Sequence, residues 1–177
     1  MKKISAKALA RCGVIAALYV VISVLLLPIT FGMMQVRVSE ALTLLPVLSP
    51  LGVWGVTIGC LLTNAYGVAA GANILGAADL LFGTAATLAA ALATRGLRRI
   101  RCCGLPVASA LPPILINAAV IGAELTFAET GRIGHPILAA NMAWVGLGQL
   151  LACGGLGLLL IWALERVGLD QRLFGAD

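Results

Sequence analysis

The chain has 177 residues, of which 12 are Lys or Arg and 7 are Asp or Glu, for a net charge of +5. Charged residues make up 11% and hydrophobic residues 61%, with 21 glycines in addition; an average soluble domain is about 25% charged. No soluble fold of this size has interior enough for that much apolar side chain, which excludes a soluble enzyme, a disordered protein and a nucleic-acid binder and leaves an integral membrane protein.

A helical span needs about 20 mostly apolar residues. The first such run is Cys12 to Leu27, preceded by Lys2, Lys3, Lys7 and Arg11. No A-x-A-like cleavage site follows at Pro28–Gly32, so the run reads as an uncleaved span rather than a signal peptide. The stretch Glu40–Tyr66 is either one long helix or two. Pro50 disfavours a helical Ser49, and Gly52 follows closely, so local chemistry favours a break. Charge supplies an independent test. One helix gives five spans and places Arg95–Arg101 outside the cell. Two helices give six spans, with 10 of the 12 cationic residues inside and only Arg37 and Arg132 outside, as the positive-inside rule requires.

The expected fold is therefore an all-α membrane bundle of six transmembrane helices in a single domain, with both termini cytosolic and the protein in the cell membrane. Spans fall at about 9–27, 39–49, 51–67, 74–95, 107–127 and 138–164. Span 2 is too short to cross a core of about 30 Å at about 1.5 Å per residue. It needs an ordered flanking loop at Phe31–Val38. Pro112 and Pro113 should kink span 5, which is tolerable where neighbouring helices satisfy the freed carbonyls. The last span is long enough to require tilt or extension beyond the bilayer.

Ionisable and carboxamide groups inside a membrane are costly and mark function by default. With the orientation above, Glu40, Asn64, Asn73, Asp79, Asn117, Glu124, Asn141, Trp144 and Gln149 occupy the outer halves or the middle of the spans. The inner halves of spans 1, 4, 5 and 6 carry no carboxylate or carboxamide until Glu165. This layer resembles a cup open to the outside. Each residue also has a structural alternative. Glu40 can pair with Arg37 at i,i+3, and Asp79 can serve the dipole of its own helix. Asn64, Asn117 and Asn141 can act as interhelical glue, and Trp144 can anchor an aromatic belt. Glu129, Arg132 and His135 belong to a solvated outer loop.

No metal and no cofactor is expected. The cysteines, Cys12, Cys60, Cys102, Cys103 and Cys153, form no CxxC pair and no ligand cluster, and read as reduced, neutral thiols. There is no HExxH, no GxSxG and no phosphate-binding glycine loop followed by Lys. The chain is therefore not expected to be an enzyme or to carry its own motor. Six spans without matching halves also make a poor alternating-access transporter.

Several stretches resemble one known family. They are FGMMQVRVSEALTLLP (Phe31–Pro46), IGCLLTN (Ile58–Asn64), DLLFGTAATL (Asp79–Leu88), PPILINA (Pro112–Ala118) and NMAWVGLGQ (Asn141–Gln149). They are similar to the QueT family, substrate-binding S components of energy-coupling factor (ECF) transporters assigned to queuosine precursors. The resemblance implies a six-helix S-component fold. It also implies a transmembrane coupling protein and two cytosolic ATPases as partners. In S components a small-x-x-x-small motif on the first helix contacts the coupling protein, and Gly13 and Ala17 match it here.

The implied ligand is a 7-deazaguanine such as 7-aminomethyl-7-deazaguanine, with adjacent N–H donors on one edge, a carbonyl acceptor and a flat face. Carboxylates accept such a donor pair in bidentate fashion. Glu40, Asp79 and Glu124 exceed what Arg37 alone neutralises, which suits a cationic ligand. Asn64, Asn117, Asn141 and Gln149 can read the rest of the ring edge, and Trp144 can stack on it. Glu124 is the leading anchor, having no cationic neighbour within four positions of sequence. Two alternatives stand beside this reading. One is an S component for another small vitamin or nucleobase. The other is a membrane scaffold or small enzyme whose polar cup is only helix glue.

Overall fold

The computed structural model describes residues 5–30 and 37–175. The chain forms α1 (Ala6–Leu25), the single turn α2 (Leu27–Thr30), a 3₁₀ helix (Val38–Val47), α3 (Pro50–Ala69), α4 (Ala77–Gly96) and α5 (Val107–Thr130). Then come α6 (Leu138–Gln149), a π-helical stretch (Leu150–Gly157), α7 (Leu158–Arg166) and the short α8 (Leu169–Phe174). Among the described residues, five helices are long and apolar enough to cross a membrane, with α6 through α7 counted as one element, Leu138–Arg166. They match the expected spans 1, 3, 4, 5 and 6 to within a few residues at each end.

The helix starts follow from local chemistry. The Ser5 hydroxyl accepts the Ala8 N–H at 3.1 Å and caps α1. Ser49 is extended, its hydroxyl accepts the Leu51 N–H at 3.2 Å, and Pro50 opens α3. That is the favoured order of a capping serine followed by a proline that needs no N–H partner. The predicted break at Ser49–Pro50 is thus a true helix boundary. At its far end α5 stops at Gly131, whose φ of 71° is a left-handed cap that costs glycine little.

The second expected span takes a different form. Val38–Val47 is a 3₁₀ helix of 10 residues rather than an α-helix, and nine of the ten are buried. At about 2.0 Å per residue it covers about 20 Å, where an α-helix would cover about 15 Å. The loop expected to flank it lies, for residues 31–36, outside the described residues. A run this long in 3₁₀ geometry is uncommon, and here it is packed against helices along its length. At one end the Ser23 hydroxyl donates to Ser39 at 2.7 Å. At the other Arg95 donates to the Pro46 carbonyl at 2.8 Å. Between them the backbone passes so near α3 that a Cβ on Gly52 would sit 2.6 Å from the Leu45 carbonyl carbon.

Helices α1 and α3 run in the same direction. A Cβ on Gly55 would meet Ile15 at 2.7 Å, and one on Gly59 would meet Tyr19 at 2.6 Å, so the two chains rise together. The 3₁₀ segment is the return path between them. This Gly55-x-x-x-Gly59 seam gives the close backbone approach that membrane helices use. It engages the face of α1 that buries Cys12, Ile15, Ala16, Tyr19 and Ser23. Gly13 and Ala17 lie exposed on another face of α1, and no described residue comes within 4 Å of a Cβ built on Gly13.

α5 continues through both Pro112 and Pro113. Pro113 cannot donate to Ser109, four residues back, and the Thr94 hydroxyl of α4 donates to that carbonyl instead, at 2.9 Å. A neighbouring helix thus repairs the ladder, as expected. The last span contains the π-helical stretch Leu150–Gly157, which lies against the 3₁₀ helix. A Cβ on Gly157 would be 3.1 Å from the Ala41 carbonyl oxygen, so glycine is what lets the two irregular helices touch.

Candidate functional site

The polar residues that the fold brings together converge on the first turn of the 3₁₀ helix. Glu40 is 1% exposed. Its carboxylate accepts from the Tyr19 hydroxyl of α1 and from the Asn117 carboxamide of α5 at 3.4 Å. Its backbone carbonyl accepts from the Thr43 hydroxyl at 2.6 Å and from the Cys153 thiol of the π stretch at 3.3 Å. Gln149, also buried, accepts from the same thiol at 3.3 Å. Elements that are remote in sequence therefore meet on one glutamate.

Arg37, three residues before Glu40, is the cation of this cluster. It donates to the Asn64 Oδ1 at 3.3 Å and makes a long contact to the Cys60 sulfur at 3.8 Å. It also attracts Glu40 electrostatically. Arg37, Glu40, Gly83, Thr87, Asn117, Ile121 and Gln149 surround a cavity of about 10 Å³, room for about one water. A larger concavity, about 330 Å³, lies between α1 and the C-terminal helices. Apart from Arg11 its walls are apolar, so it lacks the convergent polar groups that orient a small ligand. The small polar cavity is the better candidate on chemistry, although the groove is roomier.

The other sequence-selected residues have distinct places. Asn64 donates to the Asp79 backbone carbonyl at 3.1 Å, and its own carbonyl accepts from Asn73 at 3.1 Å. It therefore ties α3 to α4 while also accepting from Arg37. A Cβ on Gly83 would be 2.9 Å from the Asn64 amide nitrogen, so glycine permits that tie. Asp79 accepts the Leu75 N–H at 3.2 Å at the start of α4, which is the helix-end role. Asn141 donates to Thr126 and to Glu129, each at 3.1 Å, and links α5 to α6. Trp144 is 45% exposed and does not line the cavity. Glu124 is buried on α5 but also stands outside the cavity lining.

Sequence reasoning missed Tyr19, Thr87, Cys60 and Cys153 as members of the cluster. A phenol and a serine four residues apart, Tyr19 and Ser23, were the available signal in an otherwise apolar span. Cys12, Cys60 and Cys153 are buried free thiols, while Cys102 and Cys103 are exposed and free. Among the described residues no group of three or more His, Cys, Asp or Glu side chains is placed to hold a metal ion. No curated protein and no solved structure matches the chain. The family described as QueT transporter matches residues 9–166. That stretch holds every residue of the polar cluster, and it runs from the first apolar helix to the end of the last. This multi-pass membrane protein belongs to the QueT transporter family.

Proposed function

We propose that the protein is the substrate-capture S subunit of an ECF-type importer in the cell membrane. In this reading it takes up a 7-deazaguanine queuosine precursor from outside and hands it on to a transmembrane coupling protein driven by two cytosolic ATPases. The observation that carries the reading is the buried cluster Arg37, Glu40, Asn117 and Gln149 around one cavity. These groups supply a carboxylate for a pair of ring N–H donors, carboxamides for the remaining edge and a guanidinium for the ring carbonyl. A cavity of about 10 Å³ is too small for a bicyclic ring, so capture requires the helices around it to part.

The test is calorimetric titration of the full-length protein with 7-aminomethyl-7-deazaguanine, 7-cyano-7-deazaguanine, guanine and unrelated vitamins. Saturable binding of deazapurines is expected, with loss of binding in Asn117→Leu and Gln149→Leu. Tight binding of an unrelated vitamin with none of a deazapurine would select another S-component substrate. No binding of any of them would leave the cluster as helix glue.

Six crossings with both termini cytosolic belong to the same proposal. The parallel run of α1 and α3 supports it, because the chain must return between them. Cys102 and Cys103 are exposed beside Arg101. A membrane-impermeant thiol reagent is expected to label them only after the cytosolic face is opened. Labelling of intact cells would restore a five-span arrangement.

A further inference from the structure

α5 carries Asn117, Ile121 and Glu124 at i, i+4 and i+7, which share one face of a helix. Asn117 and Ile121 line the cavity. Glu124 follows on that face, farther from the Val107 end of the helix. Its side chain is 7% exposed, yet its Oε1 is buried with no hydrogen-bond partner among the described residues. Buried carboxylate oxygens are expensive to leave unpaired, and a native chain that keeps one calls for an explanation. The nearby charges do not supply one. Asp79 and Arg37 are the groups that act on Glu124 electrostatically. Asp79 adds negative charge and is occupied by the Leu75 N–H. Arg37 is engaged by Asn64 and Glu40. Three carboxylates, Glu40, Asp79 and Glu124, thus share one guanidinium.

We propose that Glu124, backed by Asp79, forms a cation subsite at the rim of the cavity, which takes a protonated amine carried by the ligand. This rests on the deazapurine reading and assigns to Glu124 the selection of a cationic over a neutral 7-substituent. The ring's N–H edge and its 7-substituent lie at opposite ends of the bicycle. Asn117 and Glu124, seven residues apart, are separated by about 10 Å along the helix. One face of α5 can therefore serve both ends, with the amine supplying a donor that Glu124 Oε1 does not find among the described residues.

The experiment is calorimetric titration of the full-length wild type, Glu124→Gln and Glu124→Asp with 7-aminomethyl- and 7-cyano-7-deazaguanine. The cyano compound keeps the ring and removes the cation. The wild type is expected to bind the aminomethyl compound at least tenfold more tightly. Glu124→Gln should weaken that compound ten- to a hundredfold and leave the cyano compound within twofold. Glu124→Asp, which keeps the charge, should retain part of the preference. Equal affinity of the wild type for both compounds overturns the subsite, and that comparison needs no variant to fold. So does a Glu124→Gln variant that weakens both equally, or neither, while deazapurine capture itself stands. A wild type that binds neither compound overturns the deazapurine reading and this subsite with it.

Discussion

Glu40→Leu is expected to destabilise the protein by about 3–5 kcal/mol, the range for removing one charge from a buried, oppositely charged pair. The substitution removes the carboxylate that offsets the Arg37 charge beside the cavity and the acceptor of the buried Tyr19 hydroxyl. Arg37→Met should also be costly, because it leaves the Glu40 carboxylate uncompensated. The double variant Arg37→Met/Glu40→Leu is expected to recover part of the loss, since each change removes the charge that the other leaves unbalanced. A coupling of at least about 1 kcal/mol is expected for residues in one network. Denaturation in mixed micelles, run as a double-mutant cycle, measures it. Strictly additive costs would mean that Arg37 and Glu40 do not act as a pair. Deazapurine binding should be absent from all three variants, including the recovered double variant. Stability can be restored by apolar packing, whereas recognition of polar ring edges cannot.

Gly13→Trp and Ala17→Trp are each expected to abolish uptake into cells and co-purification with the proposed coupling protein. Binding of the deazapurine to the isolated subunit should stay within about twofold. The reasoning is geometric. α1 packs inward through Tyr19 and Ile15 against Gly59 and Gly55 of α3. Ala6, Ala10, Gly13 and Ala17 are all exposed and recur at spacings of four, three and four residues. That leaves a shallow outward strip on α1. In lipid, where apolar side chains gain nothing by leaving the solvent, such a strip lets another helix approach closely. An indole at either position would hold the partner away without entering the bundle. Uptake by cells, pull-down of the complex and ligand titration of the isolated subunit separate the possibilities. Loss of ligand binding together with loss of assembly would show that the strip serves packing within the subunit.

Much of the fold is legible from the amino-acid sequence, because membrane insertion depends on length and apolarity. Five spans follow from runs of apolar residues. The boundary at Ser49–Pro50 follows from a capping serine and a proline, both local effects. The repair of the α5 ladder at Pro113 could be expected in kind, though only the structure identifies Thr94 as the donor. The position of each polar residue along its helix could be read once the spans were placed. Its direction could not. Asn117 and Gln149 turn toward Glu40, while Trp144 does not reach the cavity and Asp79 serves its own helix end.

Only the tertiary structure decided those rotations. On a soluble helix the apolar stripe marks the buried face. Here both lipid and core are apolar, so the pattern of side chains hardly distinguishes the two sides. Contacts between helices take over: Gly55 and Gly59 seat α3 on α1, and Gly157 seats the π stretch on the 3₁₀ helix. The 3₁₀ geometry of Val38–Val47 has the same origin, since Ser39 and Pro46 are held at either end by Ser23 and Arg95. The longer rise per residue lets ten residues cover that distance. Apolarity determined that these segments enter the membrane, and close contact at glycines and buried hydrogen bonds determined which faces meet within it.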